Sequence, residues 1–334
     1  MYYTRPMGWI GPSGTYSPHH PPKPHLTTPS RHFPWRRLLI VAVGAGLIGL
    51  GGTAGLQLRA AQLVKFQPSA SVDPSAPSTT TGREPALPPQ IEQSATTAAL
   101  DPVADQKLQS TLENWAASHP THKWSVVVKG LGADTRFANL NAQEDYRSAS
   151  IYKLFLTYPL FQLHSLDSLE NFTVYPEGRS PASLKSCVDA MLRRSDNPCA
   201  AAVGDYIGWS RADKLLARAG FVHTQLNNAA GPQTTAADTA DFLRNLDSGG
   251  LFSDDQRQFV LDILKNQNLR SGIPAGCAGC VVADKTGDLG FVRHDAGIVY
   301  FSANKYILVI FTNGASYSEI AGLTSQIQAR MSQP

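Results

Sequence analysis

Charge of one sign, cysteine and glutamate are all scarce in this chain of 334 residues, and each scarcity removes a class of function. The formal net charge is only +3. That is too little to grip a phosphate backbone, and no basic stretch carries interleaved aromatic residues, so a nucleic-acid partner is not expected. Cysteine is confined to Cys187, Cys199, Cys277 and Cys280. Glutamate is missing from residues 178–318, although Glu177 and Glu319 bracket the gap. An acid needed within that span must be an aspartate. Residues 38–58 hold no charge at all.

The 42% hydrophobic content allows one or two domains. Residues 1–37 are rich in Pro, Tyr, His and Ser without an apolar period, and are expected to form a disordered cytoplasmic tail. Residues 38–58, LLIVAVGAGLIGLGGTAGLQL, have only Thr53 and Gln57 as polar interruptions and read as one transmembrane helix. Arg31, Arg36 and Arg37 precede the span, against Arg59 and Lys65 after it, which predicts a cytoplasmic N-terminus. A cleaved signal peptide ending near Ala54 is the rival reading, and the long preceding tail favours an uncleaved signal anchor. The Pro/Ser/Thr-rich residues 59–102 read as a linker. Residues 103–334 are then a folded domain outside the cytoplasm, on a single-pass protein of the cell membrane.

Within that domain the apolar spacing predicts an opening helix to Ser118, a strand over 124–129, helices from 151 to 264, strands over 281–285, 296–301 and 306–311, and a closing helix over 318–331. Strands at both ends with helices between them predict an α/β (α+β) fold, an antiparallel sheet formed from both ends of the domain and covered by helices. Disulfides persist outside the cytoplasm. Local pairing of Cys187 with Cys199 and of Cys277 with Cys280 is expected, among the three connectivities that four cysteines allow. A zinc site made from all four, or a redox role for Cys277 and Cys280, are the alternatives.

Ser150 and Lys153 stand three residues apart at the start of an apolar helical run, which sets hydroxyl and amine on neighbouring faces of one turn. A serine hydroxyl attacks only when a base takes its proton, and a lysine can do so only where its surroundings lower its pKa. Ile151, Tyr152, Leu154, Phe155 and Leu156 are placed to desolvate Lys153. Ser195-Asp196-Asn197 falls between two helical runs, and Lys285-Thr286-Gly287 closes a strand-like run. Each triplet alone also fits an ordinary helix cap or strand end. In this order and these contexts the set resembles the Ser-x-x-Lys, Ser-Asp-Asn and Lys-Thr-Gly motifs of the serine beta-lactamases and penicillin-binding proteins. The resemblance spans roughly residues 104–331 and is closest to the class A beta-lactamase-like serine hydrolases, which implies their beta-lactamase/transpeptidase-like fold.

Roles follow from attack on an amide. Ser150 forms the acyl-enzyme, neutral Lys153 takes its proton, and Ser195 with Lys285 relays a proton to the leaving nitrogen. Asn197 is placed to bond the substrate amide. By resemblance, Thr286 and Gly287 meet the substrate carboxylate, and the backbone amides of Ser150 and Asp288 receive the oxyanion. Arg293, on the next strand, is near where relatives carry a carboxylate-binding cation, and a plain surface arginine is the alternative. No metal or organic cofactor is called for.

One departure bears on function. Class A enzymes carry a glutamate between the second and third motifs that activates the deacylating water. The matching segment 221–235 contains no acid, and matching Leu226 and Asn227 to the end of that loop puts His223 where the glutamate is expected. A lone histidine is more often structural, and Asp238 and Asp241 read as first-turn acids of the next helix. A long-lived adduct is therefore expected. Three readings remain: a slow hydrolase of beta-lactam or peptidoglycan-peptide substrates, a beta-lactamase with another deacylation route, and a non-catalytic wall-binding or sensor domain.

Overall fold

The computed structural model describes residues 104–302 and 304–333. The predicted tail, membrane span and linker lie outside the described residues. Among those described, no helix is long and apolar enough to cross a membrane.

Helix α1 (Gln106–Ser118) begins where the Asp105 carboxylate accepts from the Lys107 and Leu108 amides, both at 2.9 Å. Such a cap is worth about 1 kcal/mol. Strands β1 (Lys123–Leu131) and β2 (Phe137–Leu140) follow as an antiparallel pair. The chain then leaves the sheet through β3 (Tyr146–Arg147) and a 3-10 turn (Ala149–Ile151) into α2 (Tyr152–Phe155) and α3 (Thr157–Leu163). A small hairpin, β4 (Thr173–Val174) and β5 (Ala182–Ser183), leads to α4 (Leu184–Arg193), α5 (Asn197–Ile207) and α6 (Trp209–Arg218). Strand β6 (Gln233–Thr234) pairs back onto β3. Helices α7 (Ala236–Ser248), α8 (Asp254–Lys265) and α9 (Ile273–Gly276) precede β7 (Val281–Leu289), β8 (Val292–Phe301) and β9 (Asn304–Asn313), and α10 (Tyr317–Met331) closes the domain.

The five long strands form one antiparallel sheet in the order β2-β1-β9-β8-β7. Its first and last strands in the chain, β1 and β9, lie side by side with Val127 opposite Val309, so both ends of the domain complete the sheet as expected. Alternate residues serve opposite faces. Val126, Val128, Leu308 and Ile310 join Leu108 and Leu112 of α1 and Ile320, Leu323 and Ile327 of α10 in one core. Val127, Val309 and Phe311 join Ile151, Leu154, Phe155 and Phe242 in the other. Each such burial stabilises by about 1.5–3 kcal/mol.

The strands are longer than apolar spacing predicts. Strand β7 does not close at Lys285-Thr286-Gly287 but runs to Leu289, because β8 pairs with it residue for residue, from Val281 with Tyr300 to Leu289 with Val292. The third motif therefore sits inside an edge strand. Strand β2, only four residues long (Phe-Ala-Asn-Leu), is too short for its apolar residues to show an alternating pattern. Both expected disulfides form, Cys187 with Cys199 and Cys277 with Cys280, which leaves no thiol for a zinc site and sets that alternative aside.

Candidate active site

The nucleophile stands on a reversal held from three sides. Tyr146 and Arg147 pair with Thr234 and Gln233, the Ser148 amide donates to Pro232 O at 2.8 Å, and Ala149 takes a φ of 45°. A left-handed backbone at a residue with a Cβ costs on the order of 1–2 kcal/mol. The strain lets the chain turn abruptly, leaving Ser150 half-buried at the cleft and Lys153, one turn on, fully buried. His294 is part of this support. Its Nδ1 accepts from the Thr312 amide at 3.2 Å, so Nε2 carries the proton and donates to Arg147 O at 2.9 Å. Burial pushes its pKa down to about 4. His294 is a neutral strut and not a base.

Lys153 is the hub. Its Nζ lies 3.1 Å from Ser150 Oγ, 3.2 Å from Ser195 Oγ, 2.7 Å from Ser195 O and 2.6 Å from Asn197 Oδ1. A neutral amine has two hydrogens and one lone pair. The two shortest contacts go to acceptors with nothing to donate and use both hydrogens, so the lone pair is left for a serine hydroxyl. Burial lowers the Lys153 pKa to about 8, against the opposing pull of Asp196. Asn197 Oδ1 is engaged by Lys153, so its NH2 is the end left to face the cleft.

Ser195 sits at the head of the α4–α5 turn with φ 57°, a second strained residue beside the nucleophile. Asp196 caps α5 by accepting from the Cys199 amide at 2.9 Å and pairs with Arg179 at 2.7 Å. The Cys187–Cys199 disulfide ties the two helices together around this turn. Replacing both cysteines by serine is expected to cost about 2–3 kcal/mol, judged from the chain-entropy model. Acylation should also slow several-fold as Ser195 loosens; urea unfolding and adduct kinetics check the two effects separately.

Across the cleft, Lys285 Nζ lies 3.0 Å from Ser195 Oγ and donates to Thr286 O at 2.7 Å. Burial, reinforced by the nearby Lys153 charge, lowers its pKa to about 7. Ser195 thus bridges two amines. Behind Lys285 lies an acid pair that the sequence did not flag. Asp284 accepts from Arg270 Nη1 at 2.5 Å and Gln267 Nε2 at 3.0 Å, and Asp295 accepts from the Ile273 amide at 2.7 Å. Both carboxyls are fully buried, and Asp295 Oδ1 has no hydrogen-bond partner among the described residues. Burial together with the like charge raises the pair's proton affinity well above the carboxylate range, so the pair shares a proton that would otherwise be lost.

Gly287 brings β7 against the nucleophile turn: a Cβ there would sit 3.1 Å from Ala149 Cβ and Ser148 O. Asp288, next along the edge strand, lines the cleft of about 190 Å³ together with Arg147, Ala149, Ser150, Tyr152, Asn197, Pro232 and Leu289. Thr286 is buried, with 3% of its surface exposed. Arg293 is opposite Asp288 in the β7–β8 register, its Nε 3.7 Å from Asp288 Oδ2 and its Nη1 donating to Ala315 O at 3.3 Å. Tyr317 also reaches the third motif, donating to Gly287 O at 3.0 Å. Sequence reasoning missed Tyr317; the capping box of Ser316 and Glu319, which starts α10 at Tyr317, is the signal that could have placed it. A larger depression of about 600 Å³ between α9 and α10 has no titratable side chain in its wall, so the chemistry belongs to the smaller cleft.

The segment between the second and third motifs is pinned down. Asp213 accepts from the Leu226 and Asn227 amides at 2.6 and 3.1 Å, and buried Asp238 accepts from the His223 amide at 3.0 Å and Thr224 Oγ1 at 2.8 Å. Asp238 is thus a loop staple in the first turn of α7, more than a dipole partner. His223 does not line the cleft; its ring, 47% exposed, faces Asp145 at 4.0 Å. Asn227 turns its amide to Ser210 Oγ at 2.9 Å. Tyr152, Trp209, Leu226, Asn227, Asn228 and Pro232 form a groove of about 300 Å³ that adjoins the cleft.

Two hydroxyls interleaved with two amines whose pKa values are lowered define a serine hydrolase that relies on lysine where others use histidine. The comparison with known families agrees. The chain belongs to the beta-lactamase enzyme family, whose model matches residues 107–333. Among solved structures, PBP-A is similar at 19% identity over 69% of this chain and 97% of that one, with a TM-score of 0.62. A point mutant of PBP-A in an acyl-enzyme complex with penicillin G matches at 20% identity, 69% and 98% coverage and a TM-score of 0.61. A beta-lactamase from Desulfarculus baarsii matches at 19% identity, 68% and 99% coverage and a TM-score of 0.60. At these identities the likeness is one of fold. No curated protein sequence matches the chain.

Proposed function

We propose that this chain is a membrane-anchored serine hydrolase, working outside the cytoplasm, that is acylated at Ser150 by beta-lactams or D-alanyl-peptide-type amides and releases the acyl group slowly. The observation that carries the reading is the Lys153 amine, buried and lying within 3.1 Å of Ser150 Oγ. Lys153 takes the Ser150 proton as Oγ bonds to the carbonyl carbon, and the amides of Ser150 and Asp288 receive the developing oxyanion. Ser195, between the two lysines, passes a proton to the leaving nitrogen as its bond to carbon breaks. This intact relay argues against a silent binding domain.

Slow release is supported by the cleft wall, where Asp288 is the one carboxylate among the lining residues and lies beside Arg293. No acid comes from the segment 221–235. The PBP-A mutant held as a penicillin G acyl-enzyme is compatible with a family member that retains its adduct. The anchor rests on the charge-free span 38–58 and the arginines before it.

Intact-mass spectrometry of the full-length protein, at intervals after mixing with benzylpenicillin, tests the reading. An adduct with the mass of the whole drug, mapping to the peptide that contains Ser150 and outlasting the free drug's removal, is the expected result. Rapid turnover with a fleeting adduct would refute slow release; no adduct and no hydrolysis would refute the function.

A further inference from the structure

Strand β7 presents its side chains alternately to two faces, and this assigns the groups that meet the leaving part of a substrate. Lys285 points inward to Ser195, the hydroxyl that hands a proton to the leaving group. Thr286 and Asp288 share the other face, and Arg293 is on that face of β8, directly opposite Asp288. Asp288 also lines the cleft beside Ser150, so a substituent that extends along β7 on the leaving side runs past it. The Asp288 carboxylate is 55% exposed. Arg293, the cation expected to receive a substrate carboxylate, is instead drawn to Asp288 at 3.7 Å and to Ala315 O at 3.3 Å, while Thr286 is buried. Arg147 is the other charged residue of the cleft wall, its guanidinium beside Gly231, where an added Cβ would lie 3.3 Å from Arg147 Nη2.

We infer that Asp288 is a specificity-determining residue that sets this site, in the function proposed above, for substrates whose leaving group carries a positive charge and against those whose leaving group carries a carboxylate. A carboxylate entering along β7 meets an exposed like charge that Arg293 holds only at 3.7 Å, and an arginine already drawn to that charge. An ammonium there meets Asp288 with favourable sign. Penicillins, with an anionic leaving side, acylate Ser150 in spite of this residue and not because of it.

The experiment uses three thioesters of one N-acyl-D-alanine, with thioglycolate (anionic), mercaptoacetamide (neutral) and thiocholine (cationic) as leaving groups. In each, the Ser150 Oγ–carbon bond forms, the carbon–sulfur bond breaks, and the hydroxyl proton leaves through the lysines with the thiol. Adduct formation on the full-length protein is timed by mass spectrometry. The expected order of rates is cationic, neutral, anionic, with about five- to tenfold between the extremes at low salt and less at high salt, as for charges a few ångströms apart at a wet surface. Asp288→Asn should collapse that ratio toward one, and Arg293→Gln, which leaves Asp288 unopposed, should widen it. Shifts in opposite directions are not what a merely structural lesion produces. Acylation by all three thioesters with a ratio unmoved by Asp288→Asn would overturn the inference and leave the proposed function standing. Failure of every thioester and of benzylpenicillin to acylate the unaltered protein would overturn both.

Discussion

Lys153→Ala slows the acylation of Ser150 by benzylpenicillin by about a thousandfold, within the span of about 10²–10⁴ that a positioned general base contributes. Ser150→Ala removes the adduct altogether and sets the floor. The direction of the pH dependence follows from which form of the amine acts. Lys153 accepts a proton only when neutral, and burial places its pKa near 8 and that of Lys285 near 7. Below those values both amines hold their protons, so the acylation rate rises with pH through about 7–8 and levels above. The Lys153→Ala protein should show a shallow profile in place of that rise, and Lys153→Arg should not restore it, since a guanidinium stays protonated. An acylation rate that falls as pH rises, or that survives loss of Lys153, would remove the lysine from the role of base.

The second large effect concerns stability. Asp284→Ala is expected to cost about 3–5 kcal/mol, the range for removing one member of a buried charged network and leaving Arg270 without its partner. Asp295→Asn should be mild at neutral pH, because the amide can accept from Ile273 and donate to Asp284, doing what the shared proton does. The pH window has a definite sign. The pair's proton affinity is raised in the folded state, with Asp295 near 7 against an ordinary 3.8, so its stabilisation is full at acid pH and is lost as pH rises toward about 7. The lysines run the other way. Lys285 is lowered from 10.5 to about 7, so its penalty is absent at high pH and develops as pH falls toward that value. The site therefore contributes least to stability near neutrality. Urea midpoints at acid, neutral and alkaline pH read this directly: Asp295→Asn should flatten the acid arm, and Lys285→Met the alkaline arm. A difference in midpoint between the unaltered protein and Asp295→Asn that does not shrink as pH rises from acid to neutral would contradict the shared proton.

The fold and most of the cleft were legible because their signals are local. Ser150 and Lys153 are one helical turn apart, and Ser195 and Asn197 begin a helix, so spacing alone brings each pair together. What spacing cannot carry is register. Asp288 and Arg293 meet because β7 and β8 pair without a slip, and the same register, with Asp284 opposite Gly297 and Asp295 opposite Thr286, makes the two aspartates diagonal neighbours on one face. Two aspartates eleven positions apart look like surface charge until the hairpin turns them inward. Arg293 was rightly placed on the next strand, but the neighbour that balances its charge lay across the hairpin. His223, aligned with a missing glutamate, faces outward to Asp145 because Asp238 holds its amide from behind.

Strand β7 is the outermost strand of the sheet, and an outer strand offers unpaired backbone groups to any extended chain that meets it. In this domain the turn that carries Ser150 packs against that strand at Gly287. The turn is thus also a guard on an open edge, and loosening it uncovers a template for neighbouring molecules. Assembly of the cleft and protection of the sheet edge depend on one packing contact, between the nucleophile turn and Gly287.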